Sequence, residues 1–489
     1  MSRTPKRRNT PVIVLLILLI VIMIAATGLV IWLCIDLVNK ETVSGSTPST
    51  SVSLPVRETE PEETETEPPE TTLPEPEHVV STATIGSMGD LLMHIPVVNT
   101  ALQSDGSYNF DSVFKYIKEY SEAVDYAAVN LETTLYGTGK AYSGFPMFNS
   151  PDAIVDGAKN AGFDLMLTAN NHSYDTGITG YTRTLEVCRD AGFDTLGTMA
   201  SADEPKYRIK EINGINICMI CYTYETSDGS GAYPSLNGNP MYDGSYDIIN
   251  CFRSGNPEPF YQEIEGYLKE MKEAGAEATM VYIHWGVEYQ TYANDAQKAI
   301  AQKLCDLGVD VIVGGHPHVV QPVDLLESTV DPDHKTVIIY SLGNAVSNQR
   351  KEFMTNYYPT GYTEAGVMFP VPFEKYSDGT VYLSGADVLP TWVNMDTRSV
   401  KEYNILPLDY AHYDEWQTIF DLNDSMLNSA KKSYDRTQSI VSEGLTECQT
   451  WLAEQKEARE QYYYDLVYNP DKAVTETVTE ETTIATEAA

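Results

Sequence analysis

Basic residues are scarce in this chain: 32 Lys and Arg stand against 70 Asp and Glu, for a formal net charge of -38. Too few cations are present to neutralise a phosphate backbone, so no nucleic-acid partner is expected. Cysteine is scarce too. Seven cysteines in 489 residues do not build a disulfide framework. Cys218 and Cys221 form a C-x-x-C, but within the apolar run Ile215 to Tyr222 an odd offset along a strand points them to opposite faces. Buried free thiols are the expectation. Long apolar runs are absent except for one, Val12 to Ile35, which carries no charged residue. Histidine is also sparse, with eight in all, so their placement is informative.

The apolar run has 24 residues, which as a helix at ~1.5 Å per residue reach past a ~30 Å hydrocarbon core. A cleavable signal has a shorter apolar stretch and a small-residue exit, whereas here Ala25-Ala26-Thr27 is followed by Leu29 to Cys34. Residues 12–35 are therefore expected to be a retained transmembrane helix, with a removed signal as the alternative. Cys34 lacks the small residues that precede a lipoprotein cysteine. Arg3, Lys6, Arg7 and Arg8 lie before the span and place residues 1–11 in the cytoplasm by the positive-inside rule. The globular part is then expected outside the cell membrane. Residues 36–80 are rich in Thr, Ser, Pro and Glu and are expected to form a disordered, extended linker. Residues 471–489 read as a disordered acidic tail.

Residues 81–400 read as one α/β domain, in which strand-like runs alternate with helical patterns. Ala161-Gly162-Phe163-Asp164, Ala191-Gly192-Phe193-Asp194 and Leu307-Gly308-Val309-Asp310 mark helix-to-strand joints, because Gly just past a helix end takes a left-handed backbone at little cost. A helix is expected over Asp295 to Leu307, a strand over Val337 to Leu342 and a hairpin around Ser377-Asp378-Gly379. From Tyr403 the pattern changes to helix formers, and residues 401–470 read as an extension of two or three helices.

Five short polar clusters end apolar runs: Gly89-Asp90-Leu91-Leu92-Met93-His94, Asn130-Leu131-Glu132, Asn170-Asn171-His172, His284-Trp285-Gly286 and Gly315-His316-Pro317-His318. Singly, each has an ordinary explanation as a turn, a solvated carboxylate or a satisfied core histidine. Together they hold five of the eight histidines, each cluster at the carboxyl end of an expected strand, where ligands collect in α/β sheets. Carboxylates, amides and imidazoles converging there are the inventory of a metal site with donors enough for two cations.

Those clusters, with Thr133, Asp175-Thr176-Gly177, Glu288, Gln321-Pro322 and Ser341-Leu342-Gly343-Asn344, resemble the capsule-synthesis CapA family over about Thr82 to Asn344. The resemblance implies a role in poly-gamma-glutamate capsule synthesis and a calcineurin-like metallophosphoesterase-type fold, a layered sheet sandwich with flanking helices. It further implies two divalent metal ions, Mn, Zn or Fe, held by Asp90, a bridging Glu132, Asn171, His284, His316 and His318, with His94 as a further candidate. His172 is implied as proton donor to a leaving group, with Asp175 either orienting it or serving a structural role. Tyr340 and Asn344 are expected to buttress the site. Two positions depart from the wider phosphoesterase pattern: no histidine stands two residues after Asp90, and the bridging position holds Glu rather than Asp.

Three functions follow. One is a membrane-anchored, metal-dependent enzyme that cuts, transfers or attaches an acidic extracellular polymer such as poly-gamma-glutamate, possible partners being capsule-synthase membrane proteins. Another is a non-catalytic assembly factor that binds the polymer. The third is an envelope metallophosphoesterase.

Overall fold

A computed structural model of the chain describes residues 75–226, 234–242, 244–355 and 359–470. The expected cytoplasmic N-terminus, the apolar span 12–35, all but the last residues of the linker and the tail 471–489 lie outside the described residues. Among the described residues no helix is long and apolar enough to cross a membrane.

Strand alternation builds two mixed sheets. The first runs Glu402–Pro407, Leu389–Asp396, Ala365–Tyr376, Val79–Leu92, Tyr126–Glu132, Leu165–Leu167 and Asp194–Leu196. Its last four strands are parallel and its first three extend it antiparallel. The second runs Val323–Glu327, Lys335–Ile339, Val311–Gly315, Ala278–His284, Ile215–Tyr224 and Tyr207–Ile212, with four parallel strands in the middle.

One face of each sheet meets the other sheet. Tyr126, Ala128, Leu165 and Leu167 share a core with Ile217, Met219, Cys221, Met280, Tyr282, Val311 and Val313. The opposite parity faces helices. Ala127, Val129 and Leu131 pack on Ile154, Val155 and Ala158 of the helix Ala153–Asn160. Cys218, Ile220, Val281 and Ile283 pack on Phe260 and Ile264 of Glu258–Glu273 and on Ile300 and Leu304 of Asp295–Asp306. The result is a helix, sheet, sheet, helix sandwich. Cys218 and Cys221 fall in different cores, as their odd offset predicts, and the six described cysteines are all free and buried.

The three expected helix-to-strand glycines take left-handed backbone, with φ +85° at Gly162, +82° at Gly192 and +84° at Gly308. At the other end of Asp295–Asp306, the Asn294 side chain accepts from Gln297 N while the Gln297 side chain accepts from Asn294 N, a capping box of the kind that contributes ~1 kcal/mol.

Two expectations are corrected. The first strand starts at Val79, inside the stretch read as linker. The stretch read as helical from Tyr403 begins with the sheet strand Glu402–Pro407, where Tyr403, Ile405 and Leu406 are fully buried. Then follow the single turn Trp416–Ile419 and one helix of 45 residues, Asp424–Tyr468, about 68 Å long at ~1.5 Å per residue. Val441, Leu445, Cys448 and Leu452 of that helix close the core between the sheets.

Candidate metal centre

The strand parity that fills the core also aims the polar clusters. Tyr126 and Ala128 point between the sheets, so Asn130 and Glu132 on the same strand face follow them to its carboxyl end. His284 follows Met280 and Tyr282 in the same way on the facing sheet. Asp90 needs a correction of register. Met88 pairs with Val129 and Asp90 with Asn130, so Gly89 is the extra residue of a bulge, and this turns Asp90 onto the inner face. Glycine is required there, since a Cβ on Gly89 would stand 1.9 Å from the Gly343 carbonyl oxygen.

The sequence-expected residues converge as follows. Glu132, His284 and His316 offer ligand atoms within 4.8 Å of one another, and so do Asp90, Glu132 and His318. Glu132 belongs to both groups. Its Oε1 lies 3.5 Å from His284 Nε2 and 3.8 Å from His318 Nε2. Asn171 Oδ1 is 2.8 Å from His284 Nε2, placing a fourth donor beside the first group. His318 Nδ1 lies 3.0 Å from Asp90 Oδ2. His316 and His318 hold positive φ of 96° and 56°, a backbone state that costs side chains of this kind ~1–3 kcal/mol and gathers at functional sites. Asn344, expected as a buttress, donates to the His318 carbonyl at 3.1 Å. Tyr340 accepts from Trp285 Nε1 at 3.0 Å through its carbonyl.

His172 and Asp175 sit beside the cluster as a pair, Nδ1 to Oδ2 2.7 Å. The same Asp175 oxygen accepts from Phe148 N at 2.6 Å, and the Phe148 ring stands edge-on to His172 at 4.6 Å. His94 is not in either donor group. Its Nδ1 lies 3.2 Å from the Leu92 carbonyl and 3.4 Å from Asn348 N, which places it on the rim.

Other residues complete the site without having been assigned a role in it. Asn130 donates to Asp90 Oδ1 at 2.7 Å and lies 3.4 Å from Glu132 Oε2. Asn170 in turn donates to Asn130 Oδ1 at 3.1 Å and accepts from His172 N at 3.1 Å. The signal for Asn130 is its parity, two residues before Glu132 on one strand face. Tyr224 packs its ring 4.7 Å from His316, a contact no local pattern announces. Gln321 donates to the carbonyls of Gln290 and Tyr292 at 2.8 and 2.9 Å, tying the loop after His284 to the loop after His318.

The donor set fits cations. Asp90 and Glu132 are 0% exposed, yet Glu132 Oε1 and His316 Nδ1 have no hydrogen-bond partner. Burial pushes the Asp90 carboxyl up, but the hydrogen bond and charge of His318, then His284 and Asn130, outweigh it and hold the group below its ordinary range. Burial opposes charge on His318 as well, yet Glu132 and Asp90 raise it to about 9. Burial, with His284, His318 and His172 around it, keeps His316 well below its ordinary value. Burial and His318 lower His94 to about 4. Among the described residues the ion pairs of Asp90 and Glu132 are with histidines, not with Lys or Arg. A buried carboxylate is held by a partner of opposite charge or by a metal, and the atoms left unpaired here are oxygen and nitrogen donors of the kinds Zn, Mn and Fe accept.

Residues 84–349 match the family described as bacterial capsule synthesis protein PGA_cap. The chain is 29% identical over 266 residues to the PGA biosynthesis protein CapA of Bacillus subtilis, which covers 54% of this chain and 62% of that protein. It is 28% identical over 315 residues to the capsule biosynthesis protein CapA of Bacillus anthracis, covering 63% and 66%. The chain therefore spans just under two thirds of the length of these curated relatives. The layered sandwich agrees with the metallophosphoesterase-type fold that the resemblance implies, and the match extends over more than half of the sequence: the chain belongs to the PGA_cap family of bacterial capsule synthesis proteins.

Proposed function

We propose that this protein is a membrane-anchored, extracytoplasmic metal-dependent hydrolase or transferase acting on an acidic capsular polymer of the poly-gamma-glutamate type, in its synthesis or its attachment to the surface. One observation carries the catalytic part: a buried Glu132 shared between two donor groups, with one oxygen unpartnered. Glu132, Asn171, His284 and His316 would hold one cation, and Asp90, Glu132 and His318 the other. Cations bound there supply an acidified water and a polarised scissile bond.

The chain's own residues provide the proton transfer. Asp175 is fixed by the Phe148 N–H and accepts from His172 Nδ1, which sets the imidazole's orientation and tautomer. His172 Nε2 makes no hydrogen bond among the described residues, so it is the nitrogen that first takes a proton from the attacking water and then, with Nδ1–H still held by Asp175, returns it to the leaving atom. The expected span 12–35, with its basic flank, supports anchoring and an outward-facing domain. The names of the two Bacillus relatives support the polymer.

Metal analysis of the purified full chain, with His316→Ala as control, tests this together with cleavage of a gamma-glutamyl probe and a phosphodiester probe. Stoichiometric metal that is lost in the variant, with cleavage of the gamma-glutamyl probe, is expected. A metal-free protein that still restores capsule in a deletion strain would establish the assembly-factor role instead, and cleavage of the phosphodiester alone would establish the phosphoesterase.

A further inference from the structure

Away from the donor cluster, the long helix Asp424–Tyr468 does not lie flush on the first sheet. A cleft of about 550 Å³ separates them, within the ~300–1,000 Å³ typical of small-ligand sites. Its walls come from Met368 onward in the sequence, except for Tyr120, Ala123 and Val124, so it is built mainly by the part of the chain beyond the family match at residues 84–349.

The helix presents Tyr434, Gln438, Ser442, Leu445, Thr446 and Gln449 to this cleft, while Leu445 also joins Val441, Cys448 and Leu452 in the core. A helix laid on a sheet for stability alone presents an apolar stripe to it. Here Leu445 is the aliphatic residue on the helix side of the lining, and half-buried Gln438 and exposed Ser442, Thr446 and Gln449 border the open volume beside it. Of these polar groups Thr446 is committed, its hydroxyl donating to the Ser442 carbonyl, while others keep hydrogen-bonding capacity. Among the described residues, Gln438 and the Ser442 hydroxyl make no hydrogen bond, Gln449 uses only its amide nitrogen, to the Ala386 carbonyl, and Asp387 uses only Oδ1, to Val388 N. The remaining lining carboxylate, Asp409, is engaged by the Tyr120 hydroxyl and Ala411 N.

Aliphatic residues, Val124, Met368, Pro370, Val388, Leu389 and Pro390 among them, line the sheet side, and tyrosines stand at the edge. Tyr410 and Tyr434 stack at 5.8 Å and 20°, and Tyr410 is 68% exposed at the edge. No Lys or Arg lines the cleft, so a polyanion finds no counter-charge there. Free amides, a hydroxyl and one carboxylate oxygen beside aliphatic walls and the exposed Tyr410 match the alternating hydroxyl and C–H surfaces of a sugar ring. We propose that this cleft is a second binding site, separate from the metal centre, for a neutral oligosaccharide.

Calorimetric titration of the full chain with chitotetraose, cellotetraose and maltotetraose tests this. Binding of at least one is expected, weakened tenfold or more in Gln438→Ala and in Tyr434→Ala and unchanged in His316→Ala. Tyr434 also packs in a small aromatic core, so Gln438→Ala, on the half-buried helix surface, serves as the variant that keeps its fold, checked by its melting curve. Absence of binding by all three sugars at millimolar concentration would overturn the proposal. So would binding indifferent to Gln438→Ala, or Gln438-dependent binding of spermidine or a gamma-glutamyl oligomer in place of sugar.

Discussion

Replacing Glu132 by Gln removes one charge while keeping the side chain's shape, and the two donor groups respond in a way no other substitution can imitate. Glu132 is the only residue common to both groups and the only carboxylate in the group with His284 and His316. Loss of an outer hydrogen-bond partner alone weakens metal binding ~10–100-fold, so loss of a direct anionic ligand should cost at least the upper end, about 2.8 kcal/mol per cation at ~1.4 kcal/mol per tenfold. Asp90→Asn touches one group only. The assay is calorimetric titration of chelator-stripped full chain with Zn or Mn, read beside bound metal by mass spectrometry. Wild type should bind two cations of unequal affinity, the tighter at the group that also has Asn171. Glu132→Gln should weaken both classes together by 100-fold or more, and Asp90→Asn the weaker class alone. One class surviving intact in Glu132→Gln would refute the shared-ligand geometry.

Three further outcomes are expected. In metal-free protein, His318 has its folded pKa raised to about 9 against 6.5 unfolded. Its contribution is therefore complete below pH ~6.5 and lost as pH rises through about 9, up to about 3 kcal/mol at ~1.36 kcal/mol per unit. Urea midpoints of chelator-treated protein at pH 6 and pH 9.5 should fall accordingly, and a rise would count against this pairing. Asp175→Ala strands the Phe148 N–H and His172 Nδ1 and should lower stability by about 1–3 kcal/mol and abolish cleavage, with metal content unchanged. Loss of metal would move Asp175 into the ligand set. Leu445→Ala, in the core between helix and sheets, should cost about 2–5 kcal/mol in denaturant titration. A negligible loss would mean that the long helix is not part of the folding unit.

The core architecture was legible because apolar runs stop at polar clusters, and because Gly162, Gly192 and Gly308 punctuate helix and strand in a way backbone sterics enforce. The convergence of Asp90, Glu132, Asn171, His284, His316 and His318 followed from the strand-end rule. Other features lay beyond local pattern. The bulge at Gly89 is a matter of register with a strand forty residues away, and Tyr224 meets His316 across the end of the intervening strand Ala278–His284, a relation set by strand order in the second sheet. His94 satisfies Nδ1 on neighbouring backbone, a possibility that composition cannot weigh. Glu402–Pro407 was misread because its strand signal is short and is outweighed by the helix formers that dominate the sequence farther on, while its strand character comes from pairing with Leu389–Asp396. Helix length was misjudged for a related reason: the buried face of Asp424–Tyr468 carries Ser433 and Thr437 between Ala430 and Val441, so its apolar period lapses without the helix ending.

Whether Glu132 is shared by two bound cations is answered most directly by anomalous X-ray scattering from crystals of the full chain grown with Zn or Mn. Two peaks are expected, both beside Glu132, one against Asn171, His284 and His316 and the other against Asp90 and His318. No peak there, or metal only at surface carboxylates, would contradict the assignment.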